Sequence, residues 1–346
     1  MRWYQRDSLR RTGLAALAMA GVALLSAPVQ ADAAESSCRD LTVPVSVPLL
    51  GPQSMHGTLC TPPGARTVQV LVPGGTYNSG YWDYNIPETH SYRRAMNAAG
   101  YATLAIDRLG TGHSSRPPGA LLTTIGQANA VHQVIQTLKS GPQGPRFDKV
   151  IIGGHSLGSG IAMIEASTYH DVDGVLITEV THHINALGAL LAFSSFIPTA
   201  LDPKFAKQGL DPGYLTTRDG TRYKSFEYPG PYRPAVANLD EATKDVMSTS
   251  EFADGAALGV VLPVSREITV PVMVVVGGRD GTLCGLLATD CSSAEGLLRS
   301  EAPFYQPAAK LHTFVLHGFG HAINLAPNAP EYFQAVARWA DSMVGH

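Results

Sequence analysis

Six short runs of almost unbroken apolar residues recur along this chain, and stretches of helical periodicity lie between them; this alternation limits the fold more than any other feature. The runs fall at residues 68–72, 101–106, 150–153, 174–180, 270–276 and 311–316. Helical periodicity marks 124–139, 157–168 and 330–344. Strands that read as continuous apolar runs are buried on both faces, so the pattern predicts a mostly parallel sheet with helices on both sides. Two alternating stretches at 41–47 and 55–61, with Gly51-Pro52 between them, predict an antiparallel hairpin at the start. Sheets of this kind place their sites at the carboxyl ends of their strands.

The alternation lapses from residue 181 to 268, a stretch rich in Pro, Tyr, Phe and Gly. It is expected to be a mainly helical cap inserted between two halves of one core, 34–180 and 269–346. Its apolar run at 187–201 is expected to be a buried cap helix, with lipid contact as the alternative. Residues 1–33 have a different character. Arg2, Arg6, Arg10 and Arg11 precede an apolar stretch at 13–25, and small residues follow near Ala31 and Ala33. That layout predicts a cleaved export signal and a secreted or extracytoplasmic protein without stable membrane insertion. Arg10-Arg11 leaves both general and twin-arginine export open. The four cysteines, Cys38, Cys60, Cys284 and Cys291, then read as disulfides. Three connectivities exist, and proximity favours Cys38–Cys60 with Cys284–Cys291; a zinc site is the rival, but no Cys-x-x-Cys spacing supports it. A formal net charge of −3 gives no basic footprint for nucleic acid.

The chemistry concentrates just after the apolar runs. Gly154-His155-Ser156-Leu157-Gly158 follows one run and opens a helical stretch. A serine hydroxyl must be exposed and activated to act as a nucleophile, and a sharp strand-to-helix turn between small residues exposes it. Ser156 is the expected nucleophile. His321, in a glycine-softened loop after the last run, is the expected general base, with His317 as its competitor. Asp280, after 272–276, is the expected acid that orients the imidazole, with Glu179 as runner-up. An oxyanion needs backbone donors: Leu157 N–H, and Gly75 or Thr76 in the turn after 68–72. His155 is read as structural, and His182-His183 either line the pocket or are bonded locally.

These residues carry a resemblance. Pro73-Gly74-Gly75 with Trp82 downstream, the loop from Asp107 to Ser114, the Ser156 turn, Gly277-Gly278-Arg279-Asp280 and Gly320-His321 occur in the order of the α/β-hydrolase superfamily. The chain resembles that superfamily from about residue 41 to 343. The resemblance implies an eight-stranded, mostly parallel sheet, a cap inserted after the sixth strand and a structural role for the 107–114 loop. One departure is Pro73-Gly74, where relatives often carry His-Gly. Gly-His-Ser-Leu-Gly looks like the turn of lipases and esterases. The implied activity is hydrolysis of a small or medium-sized apolar carboxylic ester through an acyl-enzyme, without metal or organic cofactor. Amide, peptide, lactone and thioester hydrolysis use the same machinery, and a catalytically silent binding protein is the reading from outside enzymology.

Overall fold

A computed structural model describes residues 36–85, 90–256 and 263–346. The expected export signal at 1–33 lies outside the described residues. The hairpin forms as expected: β1 (Ser37–Val47) pairs antiparallel with β2 (Gly51–Thr61), and Leu41, Val43, Val45 and Val47 alternate inward along β1. Six strands complete the main sheet: β3 (Thr67–Val72), β4 (Ala102–Ile106), β5 (Lys149–His155), β6 (Gly174–Thr178), β10 (Val272–Gly277) and β11 (His312–Leu316). The order is β1-β2-β4-β3-β5-β6-β10-β11, and the last six strands of that order are mutually parallel.

Alternate side chains of each central strand enter opposite layers, as strand geometry requires. Val70, Val72 and Ile152 pack under α2 (Thr124–Ser140) and α3 (Leu157–Tyr169). Leu71, Ile151 and Leu176 face α1 (Tyr92–Ala98) and α8 (Ala329–Met343). Local signals fix the helix ends. Thr123 caps α2 by accepting from Gly126 N, and Gly141 leaves it in the left-handed region, where glycine meets no Cβ penalty. Helix α8 begins at a proline and buries Tyr332, Phe333, Val336, Trp339 and Ala340 along one stripe. A fifth core helix, α7 (Ala294–Glu301), precedes β11.

Between β6 and β10 the chain leaves the sheet. The described part of this excursion contains α4 (Ala186–Phe193), α5 (Pro234–Thr243) and α6 (Thr249–Ala256). It also contains a small antiparallel sheet that the sequence pattern does not reveal, made of β7 (Phe196–Pro198), β8 (Tyr214–Thr217) and β9 (Met247–Ser248). One expectation is corrected here. Helix α4 is not buried all round: Ala189 and Ala192 face inward, whereas Leu187, Leu190 and Leu191 are each about two-thirds exposed. Both favoured disulfides are present, Cys38–Cys60 across the β1–β2 pair and Cys284–Cys291 in the loop after β10.

Candidate active site

The turn after β5 is tight enough to explain its glycines. Ser156 has φ 52° and ψ −122°, outside the regions that L-residues ordinarily occupy. A Cβ on Gly154 would stand 2.4 Å from the backbone of Gly158, and one on Gly158 would stand 2.2 Å from the carbonyl oxygen of Val72. Neither position has room for a side chain, and the strain is held by hydrogen bonds from Ser156 N to Thr178 O and from Ser159 N to Ser156 O. The result is a half-buried serine at the N-terminus of α3. Backbone strain of this sort recurs where a group must be pre-positioned.

The structure brings Ser156, His321 and Asp280 together from three strand ends. The Ser156 hydroxyl is 2.8 Å from His321 Nε2, and His321 Nδ1 is 2.6 Å from Asp280 Oδ2. Asp280 is fully buried. Burial alone would raise its pKa, but the adjacent imidazole and hydrogen bonds from His321, Glu179 and Thr282 outweigh this and hold the carboxyl well below the usual range. Thr282 donates to Asp280 Oδ1 through both its amide and its hydroxyl, each at 2.7 Å. The competitor His317 is exposed at the end of β11, where its carbonyl accepts from Asn328 Nδ2.

Glu179, the runner-up acid, also reaches this corner. Its Oε1 accepts from Gly277 N at 2.8 Å, and its Oε2 lies 4.0 Å from His321 Nδ1. Burial, then the charge of Asp280, push the Glu179 carboxyl well above the usual range. That shift favours its protonated form, and one Glu179 oxygen lies within 4.8 Å of an Asp280 carboxylate oxygen. The shifts run in opposite directions, as expected where two buried carboxyl groups lie close together.

His155 supports His321 from behind, consistent with a structural reading. It is fully buried, stacks on Tyr81 with ring centres 4.0 Å apart, and donates from Nε2 to the His321 carbonyl at 3.1 Å. Burial, reinforced by the nearby His321, pushes its pKa well below the ordinary histidine value, so it stays neutral. His182 and His183 take the local option. His182 is bonded to Glu301 at 2.7 Å and to Ser265 at 2.8 Å, while the His183 carbonyl accepts from Thr181 and Thr289.

The three oxyanion candidates separate. Gly75 and Leu157 line the cavity beside Ser156. Thr76 is fully buried behind it, at φ 61°, a costly conformation for a β-branched residue. Its hydroxyl accepts from Arg222 at 3.0 Å and its carbonyl accepts from Asp245 N at 2.9 Å. A Cβ on Gly75 would stand 2.7 Å from the Met247 sulfur, so a larger residue there would displace the Met247 side chain.

Several supporting residues carry no signal in the sequence. Arg222 is buried against Asp240 through two hydrogen bonds, of 2.8 and 3.0 Å, and lies over the Tyr77 ring at 4.2 Å. Arg108, wholly buried against Glu251, donates to the Gly74 carbonyl at 3.1 Å. The excursion also grips the histidine loop: Ala322 N bonds Phe226 O at 2.9 Å and Gly320 N bonds Glu227 O at 3.3 Å. Chain separation hides all of these, because a lone Arg or Asp in sequence reads as a solvated charge. The 107–114 loop has the expected structural character, with Asp107 accepting from Ser79 N and His113 N.

The cavity is about 160 Å³ and almost wholly apolar around the serine, with Ala189, Phe193, Phe196, Phe226, Met247 and Phe252 among its walls. His321, Asp280 and Glu179 also lie within metal-ligand distance of one another, but their hydrogen bonds to one another and to Ser156 already engage the imidazole on both nitrogens.

A model of the alpha/beta hydrolase family matches residues 69–339. The chain belongs to the alpha/beta hydrolase family. Solved structures of the same fold include the alpha/beta hydrolase GrgF from Penicillium sp. sh18, at 15% identity and a TM-score of 0.59, covering 90% of this chain and 100% of that one. A thermophilic esterase from Thermogutta terrifontis aligns at 16% identity with a TM-score of 0.57, covering 88% of this chain and 99% of that one. The N-acyl homoserine lactonase AidH aligns at 16% identity with a TM-score of 0.57, over 90% and 98% of the two chains. No curated protein matches this alpha/beta hydrolase by sequence.

Proposed function

We propose that this family member is an exported serine esterase in which Ser156 attacks the acyl carbon, His321 moves the proton and Asp280 holds the imidazole. The observation that carries the reading is the continuous hydrogen-bonded line from the Ser156 hydroxyl through His321 to a buried, ionised Asp280. His321 Nε2 accepts the serine proton as Oγ attacks, then returns it to the departing alkoxide. Ionised Asp280 stabilises the imidazolium formed in between. The amides of Leu157 and Gly75 bind the negative oxygen of the tetrahedral intermediate, worth about 3 kcal/mol per donor in comparable sites. Water, activated by the same histidine, then releases the acid from Ser156. No metal or organic cofactor takes part in this scheme.

Pocket size supports the substrate class. A dry apolar cavity of about 150 Å³ accommodates a benzene-sized group, and the cavity here is about 160 Å³. A short acyl chain or an aryl group fits within it. Residues 181–268 act as the cap that shapes this space, on a core of 34–180 and 269–346. Two disulfides support export, directed by residues 1–33, since such bonds persist in oxidising compartments.

The test is hydrolysis of p-nitrophenyl esters of graded acyl length, beside matched amides, lactones and thioesters. The expected result is preference for short-chain esters, with Ser156→Ala reducing kcat by at least about 10⁴-fold. Undiminished turnover in Ser156→Ala would falsify the mechanism. Faster cleavage of amides or lactones than of esters would reassign the substrate class while leaving the nucleophile in place.

A further inference from the structure

On the outer face of the molecule, where α2 packs on α3, one imidazole and two carboxyl groups converge away from the Ser156 pocket. His132 comes from α2, Glu165 from α3 and Asp171 from the turn after it; one ligand atom of each lies within 4.8 Å of the other two. His132 Nδ1 is 2.9 Å from Asp171 Oδ2 and 3.7 Å from Glu165 Oε1. Donors bound to one tetrahedral zinc at about 2.1 Å stand about 3.4 Å apart, so the two separations bracket the requirement.

Glu165 is the second, independent observation. Its side chain is completely buried, and among the described residues none donates a hydrogen bond to either carboxyl oxygen. A buried carboxyl aimed into a cluster without a donor is expensive, and in native proteins it calls for an explanation such as an ion. The neighbours are held in place around it. The His132 ring stacks on Tyr169 at 3.9 Å, and Gln136 donates to Asp171 Oδ2. Lys139 is tied to the Asp171 carbonyl rather than to either carboxyl group. His132 and Asp171 are partly exposed, which leaves a route in from solvent.

We propose that His132 Nδ1 and the carboxylates of Glu165 and Asp171 form a binding site for a divalent cation of the zinc class, with water as the remaining ligand. An imidazole in the set favours zinc-like ions over calcium or magnesium, which take all-oxygen shells. The ion would clamp α2 to the C-terminal end of α3, a structural role remote from ester cleavage.

Zinc chloride titrated calorimetrically into the EDTA-treated full chain is expected to bind at one site and to raise Tm. His132→Ala and Glu165→Gln should each weaken that binding at least about tenfold, with ester turnover unchanged. Because Glu165→Gln is isosteric and removes a buried acid, it should fold at least as well as the parent without metal. Crystals soaked in zinc should show anomalous scattering between α2 and α3. Absence of zinc uptake, uptake undisturbed by either substitution, a tighter response to calcium than to zinc, or an ion located elsewhere would each overturn the site.

Discussion

At the scale of single residues, the decisive feature is the proton on Glu179. A carboxyl whose folded-state pKa is raised favours the folded state below its unfolded value and forfeits that contribution as pH climbs through the folded value. Here ionisation would also place a second negative charge beside Asp280, 4.0 Å from His321 Nδ1. We therefore expect kcat/KM and Tm of the parent to fall together as pH rises through that raised folded-state value. Glu179→Gln keeps an acceptor for Gly277 N and a donor toward Asp280, so it should retain neutral-pH turnover and lose that alkaline decline. Glu179→Ala should cost about tenfold in kcat, the worth of one hydrogen bond to a charged group. A pH–rate profile for the three proteins decides it; an identical alkaline limb in parent and Gln variant would show that Glu179 does not titrate there.

At the scale of elements, the sheet and the serine turn were legible because each rests on local pattern. Val150 to Gly153 reads as a buried strand, Gly154 and Gly158 frame the turn, and Asp280 and His321 each follow a strand. The inserted segment was less legible, for a physical reason. Strand β7 has three residues and β9 two, too few for alternation to register, and their partner β8 lies far from both in sequence. The buried Arg222–Asp240 pair spans 18 positions, and nothing local distinguishes it from surface charge. That pair ties α5 to the oxyanion loop through Thr76. Removing one member of a buried ion pair costs about 3–5 kcal/mol, so Arg222→Met should lower Tm markedly. It should also depress kcat more than KM rises, because Thr76 loses the donor that holds its strained backbone. A change confined to Tm would mean that Arg222 serves stability alone.

At the scale of the whole molecule, the two disulfides brace different things. In the chain-entropy picture, closing the 22-residue separation of Cys38–Cys60 contributes about 3 kcal/mol and the 7-residue separation of Cys284–Cys291 somewhat less. Their effects on activity should rank in the opposite order. Cys38–Cys60 ties an edge hairpin, whereas Cys284 sits on the Asp280 turn, its amide bonded to the Asp280 carbonyl at 2.9 Å. Replacing each pair by serine and comparing Tm with kcat tests this; equal catalytic losses would count against it. A last consequence follows from the main-chain bonds that Phe226 and Glu227 make to Ala322 and Gly320. Any chimaera built by grafting another relative's insert onto this scaffold would have to reproduce those two carbonyls, or the transplanted piece would bring a new pocket and dislodge the His321 loop beneath it. Selectivity and reactivity are thus inherited as one module.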